Sequence, residues 1–151
     1  MGATFNAKVE TMREKPTFRN AWSKGRRCLI AVDGFYEWER DTKQPVAIAR
    51  ADGRLMTFGG LWERWAREGA EEVYSCTVIT QPAGSAMASI HDREPLIVEQ
   101  KDWPVWLGEE AGDVDALLRP CDPNALISWH VPKEVGNVRN NGPELIERVG
   151  K

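Results

Sequence analysis

A carboxylate set among aromatic side chains, Glu37 in Gly34-Phe35-Tyr36-Glu37-Trp38, is the first candidate for chemistry in this chain. Apolar surroundings make such a group costly to ionise, which suits it to general acid or base work. Strand alternation offers the plainer alternative, with Glu37 turned outward while Tyr36 and Trp38 face inward. His91 lies in Ser89-Ile90-His91-Asp92-Arg93-Glu94-Pro95, in a loop between two expected strands. A neighbouring acid and base would hold its imidazole in a chosen protonation state, although a histidine hydrogen-bonded within a turn fits the pattern too. Asn6, in Phe5-Asn6-Ala7-Lys8-Val9-Glu10-Thr11, has an amide able to orient a substrate; turn formation is the commoner use of Asn. The sequence holds no P-loop, GxGxxG, GxSxG or HExxH motif. Two histidines, and three cysteines (Cys28, Cys76, Cys121) outside any CxxC pair, argue against a metal site or disulfide framework and for a reducing compartment. The cysteines read instead as small interior residues in or beside strands.

Charge suggests a second kind of chemistry. Residues 1–27 carry seven bases against two acids, whereas the whole chain has a net charge of −3. A polyanion responds to local potential, so a phosphate-binding face is compatible with an acidic total; a solvated basic helix face explains the same run. Seven tryptophans are many for this length. Exposed ones could stack on unpaired bases, at roughly 1–3 kcal/mol per base. Most belong to the core, and no more than two are expected at a ligand.

These side chains need elements to hold them. Thr17 to Lys24 reads as a short helix between Pro16 and Gly25. Cys28 to Val32 is a continuous apolar run suited to a buried strand, and Phe35 to Trp38 continues in extended form past the Asp33-Gly34 turn. Pro45 to Arg50 and Leu55 to Leu61 are expected to form a hairpin across Asp52-Gly53. Val73 to Thr80 and Leu96 to Val98 read as strands, Asp102 to Leu107 as a helical turn, Asp113 to Leu118 as a helix, and Ala125 to Val131 as a late strand. The last fifteen residues, with Gly136, Asn137, Asn140, Asn141, Gly142 and Pro143, read as an irregular tail tied down elsewhere. Strands without a βαβ rhythm predict an α+β fold with a largely antiparallel, barrel-like sheet and a few short helices. At 151 residues, with 42% hydrophobic and 28% charged residues, the chain is expected to form one domain over 1–151. Mean hydropathy is −0.48. No apolar run approaches the roughly 18 residues of a membrane helix, and Asn6 breaks the myristoylation pattern opened by Met1-Gly2. The expectation is a protein of neither the membrane nor the secreted class.

The same residues carry a resemblance. Asn6-Ala7-Lys8-Val9-Glu10-Thr11, Arg26-Arg27-Cys28-Leu29-Ile30 and Asp33-Gly34-Phe35-Tyr36-Glu37-Trp38 resemble successive signatures of the SRAP family, the SOS response-associated peptidase or abasic-site processing proteins. The likeness continues through Gly59-Gly60-Leu61-Trp62-Glu63, Thr77-Val78-Ile79-Thr80, Ile90-His91-Asp92-Arg93 and Val135-Gly136-Asn137-Val138-Arg139-Asn140. Lys8 stands where the family usually has Arg, which keeps the charge but loses the planar fork, and Glu94 stands where it usually has Met.

The resemblance implies single-stranded DNA carrying abasic sites as the partner, with no cofactor, no metal and no membrane. In the implied mechanism a cysteine exposed at the N-terminus forms a thiazolidine with the opened abasic sugar. Glu37 would move protons, His91 would assist ring opening and Asn6 would position the nucleophile. Lys8 and Arg93 would hold flanking phosphates, with Arg26 and Arg27 as weaker candidates and Thr80 lining the pocket. Family members begin Met-Cys-Gly-Arg, whereas this chain begins Met-Gly-Ala-Thr-Phe and its three cysteines are internal. The expectation is therefore an N-terminally truncated SRAP-like domain that forms no crosslink alone, so the sequence leaves open whether it is itself an enzyme. An autoproteolytic thiol peptidase and a non-catalytic single-stranded DNA binding module are the alternatives. The implied location is the bacterial cytoplasm, at the nucleoid. The oligomeric state is left open, a monomer among the options.

Overall fold

The computed structural model describes residues 5–150. Its strands are β1 (Asn6–Lys8), β2 (Arg27–Val32), β3 (Gly34–Trp38), β4 (Pro45–Arg50), β5 (Met56–Trp65), β6 (Val73–Pro82), β7 (Arg93–Pro95) and β8 (Leu126–His130). Two short α-helices, α1 (Pro16–Ser23) and α2 (Trp103–Leu107), and five single turns of 3-10 helix complete the described elements. The α+β expectation holds: the strands form two mostly antiparallel sheets, ordered β1-β6-β5-β2 and β3-β4-β8. β1 pairs with β6 in parallel, while β3 with β4, β4 with β8 and β5 with β6 are antiparallel.

The chain divides into two compact units, each gathered from three separate stretches. The first comprises Met1–Ala31, Thr57–Pro82 and Pro95–Cys121. Its core joins Ala7, Met12, Phe18, Leu61, Ile79, Leu96 and Trp106. Trp106 is fully buried, and its indole N–H donates to the Cys28 carbonyl at 2.9 Å, so the one polar atom of the ring is satisfied. Pro16 opens α1 at the position where its missing N–H costs nothing, and Phe18 and Ala21 face the core.

The second unit comprises Val32–Met56, Ala83–Glu94 and Asp122–Lys151. Its strand β4 is buried along Val46, Ala47 and Ile48 because β3 and β8 flank it and both its faces are covered. Val46, Ile48, Met87 and Ile90 form its core, with Phe35 and Leu126 packed against them. Gly34 is required where β3 crosses β4, since a Cβ there would stand 2.6 Å from the Ile48 carbonyl oxygen. The irregular tail is tied to β8: the Trp129 indole donates to the Ile146 carbonyl at 2.7 Å, and the Val149 amide to the His130 carbonyl at 2.9 Å.

Three local expectations are corrected. The Asp52-Gly53 turn exists, with Gly53 at φ +71°, but β4 and β5 are not a hairpin; β4 pairs with β3 and β8, and β5 pairs with β6. Asp113 to Leu118 is a single 3-10 turn at Asp115–Leu117, because the Asp113 carboxylate takes the Asp115 and Ala116 amides and Pro120 follows closely. Around Leu96 to Val98 the named strand is β7, and Ile97 makes only an isolated bridge to Phe58.

Candidate active site

Strand β3 delivers Glu37 opposite Val46, on the face where Val46 and Ile48 enter the core. The carboxylate is therefore not turned away from the apolar side; it stands half-buried at its margin, while Trp38 is the exposed residue. Its own strand end helps to hold it, the Trp38 amide donating to Glu37 Oε1 at 3.1 Å. That oxygen lies 3.9 Å from His91 Nε2. The two residues, fifty-four positions apart in the chain, meet within the second unit.

The loop presenting His91 is fixed by its backbone. The Ile90 and His91 amides both donate to the Met87 carbonyl, at 2.8 and 2.9 Å, and the Arg40 amide just beyond β3 donates to the Ile90 carbonyl at 3.3 Å. The Ala83 amide reaches the Asp92 carbonyl at 3.0 Å, and buried Glu94 accepts from the Gly84 amide at 2.9 Å. On the far side of the imidazole, Nδ1 lies 3.0 Å from the Arg93 amide, which donates to it, and 3.2 Å from Asp92 Oδ1. With Nδ1 accepting from the Arg93 amide, the ring proton of the neutral imidazole is on Nε2, the nitrogen nearer Glu37. Asp92 is thus part of the cluster, a place its adjacency to His91 already signalled. Arg93 opens β7, half-buried.

Within the first unit, β1 and β6 run parallel with Asn6 opposite Val78 and Lys8 opposite Thr80. Asn6 and Lys8 are exposed and flank the fully buried Ala7, so alternation sends both side chains to one face. Arg26 and Arg27, by contrast, are engaged inside this unit. Arg26 forms an ion pair with Glu63 and stands over the Trp62 ring. Arg27 donates to the Trp106 carbonyl and stacks over the Trp106 ring, and its burial lowers its pKa. Of the cysteines expected inside, Cys28 and Cys121 are half-buried and Cys76 is exposed, because β6 enters the core only from Thr77 onward. Among the described residues no group of three or more His, Cys, Asp or Glu side chains is arranged to hold a metal ion, and no helix is long and apolar enough to cross a membrane.

The sequence from residue 1 to 138 matches the family described as SOS response associated peptidase (SRAP). The chain belongs to the SRAP family. It is 38% identical over 148 residues to abasic site processing protein YoqW of Bacillus subtilis, covering 94% of this chain and 66% of that one. It is 36% identical to abasic site processing protein YedK of Escherichia coli, covering 95% of this chain and 67% of the other. To abasic site processing protein HMCES of Xenopus tropicalis it is 34% identical, covering 97% of this chain and half of the other. A similar fold is seen in a crystal structure of a protein from Bacteroides thetaiotaomicron, with TM-score 0.85 and 26% identity over 97% of this chain and 66% of that one. The chain thus spans about two thirds of the length of YoqW.

Proposed function

We propose that this SRAP chain processes abasic sites in single-stranded DNA, with Glu37 and His91 as its proton-transfer pair. The observation that carries the reading is the 3.9 Å approach of Glu37 Oε1 to His91 Nε2, made by the two motif positions that the family resemblance assigns to acid–base work. In the proposed reaction the abasic sugar opens to an aldehyde. An N-terminal cysteine's amine adds to that carbon and water leaves, giving an imine; its thiolate then adds to the imine carbon and closes a thiazolidine. Glu37 takes the proton released at the amine, and His91 gives one to the sugar oxygen as the ring opens. The family motifs assign Lys8 and Arg93 to flanking phosphates and Asn6 to orienting the nucleophile, with Thr80, opposite Lys8, a further candidate for substrate contact. Arg26 and Arg27 take structural parts instead, given their partners Glu63 and Trp106. An abasic site has no base to extrude, so selection falls on the aldehyde. This reading places the protein at the chromosome, in the cytoplasm.

The test joins a Met-Cys-Gly-Arg leader to the chain and mixes it with a single-stranded oligonucleotide holding one abasic site. A covalent species on a denaturing gel is expected, and none with the intact oligonucleotide. Glu37→Gln and His91→Ala should each slow its formation by roughly 100-fold, the lower end of what a general acid or base supplies, with oligonucleotide binding retained. Both variants reacting at the parent rate would overturn the assignment. Binding that weakens with salt but ignores the abasic site would instead favour a plain single-stranded DNA module.

A further inference from the structure

The second unit holds another histidine–carboxylate pair, apart from Glu37 and His91. His130 Nε2 lies 2.7 Å from Glu39 Oε1, and Thr42 donates to the other carboxylate oxygen. Both hydrogen bonds hold the Glu39 carboxyl below its ordinary pKa, Thr42 contributing most, so it is ionised and committed. This pair lines an open cavity at the surface, of about 350 Å³, together with Ser89, Ser128 and Arg148, all exposed, and buried Ile90. That volume falls in the range of small-molecule sites.

Geometry sets what the cavity offers. Ser128 and His130 are two apart on β8, so alternation turns both to the face where Ile48 and Val46 lie opposite them. An ionised carboxylate can only accept, so His130 Nε2 donates to Glu39 and the ring is held in the wall by that bond. The two serine hydroxyls and the Arg148 guanidinium make no hydrogen bond or ion pair among the described residues. The lining thus combines a planar cationic fork, an imidazole and two hydroxyls, while its one carboxylate is already taken up by Thr42 and His130. A tetrahedral anion finds the Arg148 fork and the two hydroxyls as donors there.

We propose that this cavity is a phosphate-binding site, with Arg148, Ser89 and Ser128 as its donors beside the His130–Glu39 pair. The phosphate group is the recognised chemistry, whether carried by a small phosphorylated molecule or by a nucleic-acid backbone. The site does not depend on the abasic-site reading.

The chain has only two histidines, His91 and His130, so their ring resonances report the two clusters separately. Titration of the full chain with inorganic phosphate, at ionic strength held constant with chloride, should shift the His130 ring signals saturably and leave those of His91 in place. Arg148→Ala should weaken the response by roughly tenfold or more, as expected for loss of a charged hydrogen bond. Ser128→Ala should weaken it less, and unmoved His91 signals in both variants would show the fold intact. An oligonucleotide without an abasic site then separates the sources. Competition with phosphate at His130 assigns the site to a nucleic-acid backbone; displacement only by small phosphate esters assigns it to a small ligand. Signals of His130 that ignore phosphate, or an Arg148→Ala variant that binds as the parent does, would overturn the proposal.

Discussion

Cys28 and Cys76 sit on strands of one sheet yet meet different surroundings. Cys28 is half-buried on β2, and burial, with a smaller contribution from Cys76, pushes its thiol from 9.0 up to about 11. Cys76 is exposed on β6. The thiolate is the reacting form, so iodoacetamide near pH 8 should label Cys76 well before Cys28, as peptide mass spectrometry would read. The folded state holds the Cys28 proton more tightly than the unfolded chain does. That contribution to stability is complete below pH 9 and should be lost as pH rises from 9 toward 11, which denaturant melts of Cys28→Ser beside the parent would resolve. Equal labelling rates would contradict this account of the Cys28 environment. The residue scale is also where the sequence was most informative. Glu37 and His91 stood out because each is polar within an apolar or strand-bounded context, and the fold brings the two together. Arg26 and Arg27 looked no different from other bases of the first 27 residues, since a run of charge does not show that Glu63 and Trp106 lie within reach.

At the scale of elements, local chemistry was legible and partner choice was not. The Asp52-Gly53 turn announced itself, and Arg50 pairs with Asp52 there at 2.7 Å, but a turn fixes direction and not which strands bond. β4 is buried along most of its length and has β3 and β8 on its two edges, so no edge remains for β5. β5 is shaped instead by what crosses it. Gly59 has no room for a side chain: a Cβ would come 2.8 Å from Leu96 Cδ2, 2.9 Å from Trp106 Cζ2 and 3.0 Å from Val98 Cγ2. All three neighbours belong to the packed core, which yields little. Gly59→Ala should therefore destabilise by about 1–3 kcal/mol through overpacking. For a chain of this size each kcal/mol lowers the melting temperature by roughly 2–4 °C. Gly136→Ala is the matched control, since the nearest atom to its added Cβ is 3.8 Å away. Calorimetry of the two variants should separate them clearly, and an unchanged Gly59→Ala melt would mean that the core around Trp106 is looser than described.

For the molecule as a whole, the decisive feature is that neither unit is a continuous stretch of sequence. The chain passes from one to the other five times, between Ala31 and Val32, Met56 and Thr57, Pro82 and Ala83, Glu94 and Pro95, and Cys121 and Asp122. Division at any single point therefore splits a core. A cut after Pro82 leaves Met1–Pro82 with Met12, Phe18, Leu61 and Ile79 but without Leu96, Val98 and Trp106, which close the same cluster. It leaves Ala83–Lys151 with Met87, Ile90 and Leu126 but without Val46, Ile48 and Phe35. Loss of a buried tryptophan alone costs about 3–5 kcal/mol, against a total stability of about 5–15 kcal/mol for a typical protein. Each fragment loses several such residues at once. Neither should show a cooperative melt by circular dichroism when expressed alone, and β8, which bonds only to β4 among the described strands, should leave its amides unprotected from hydrogen exchange in the second fragment. Mixing the two fragments should recover both the melt and the protection, because each supplies the missing half of two cores. A cooperative transition in either fragment by itself would show that one unit folds from fewer stretches than the three assigned to it.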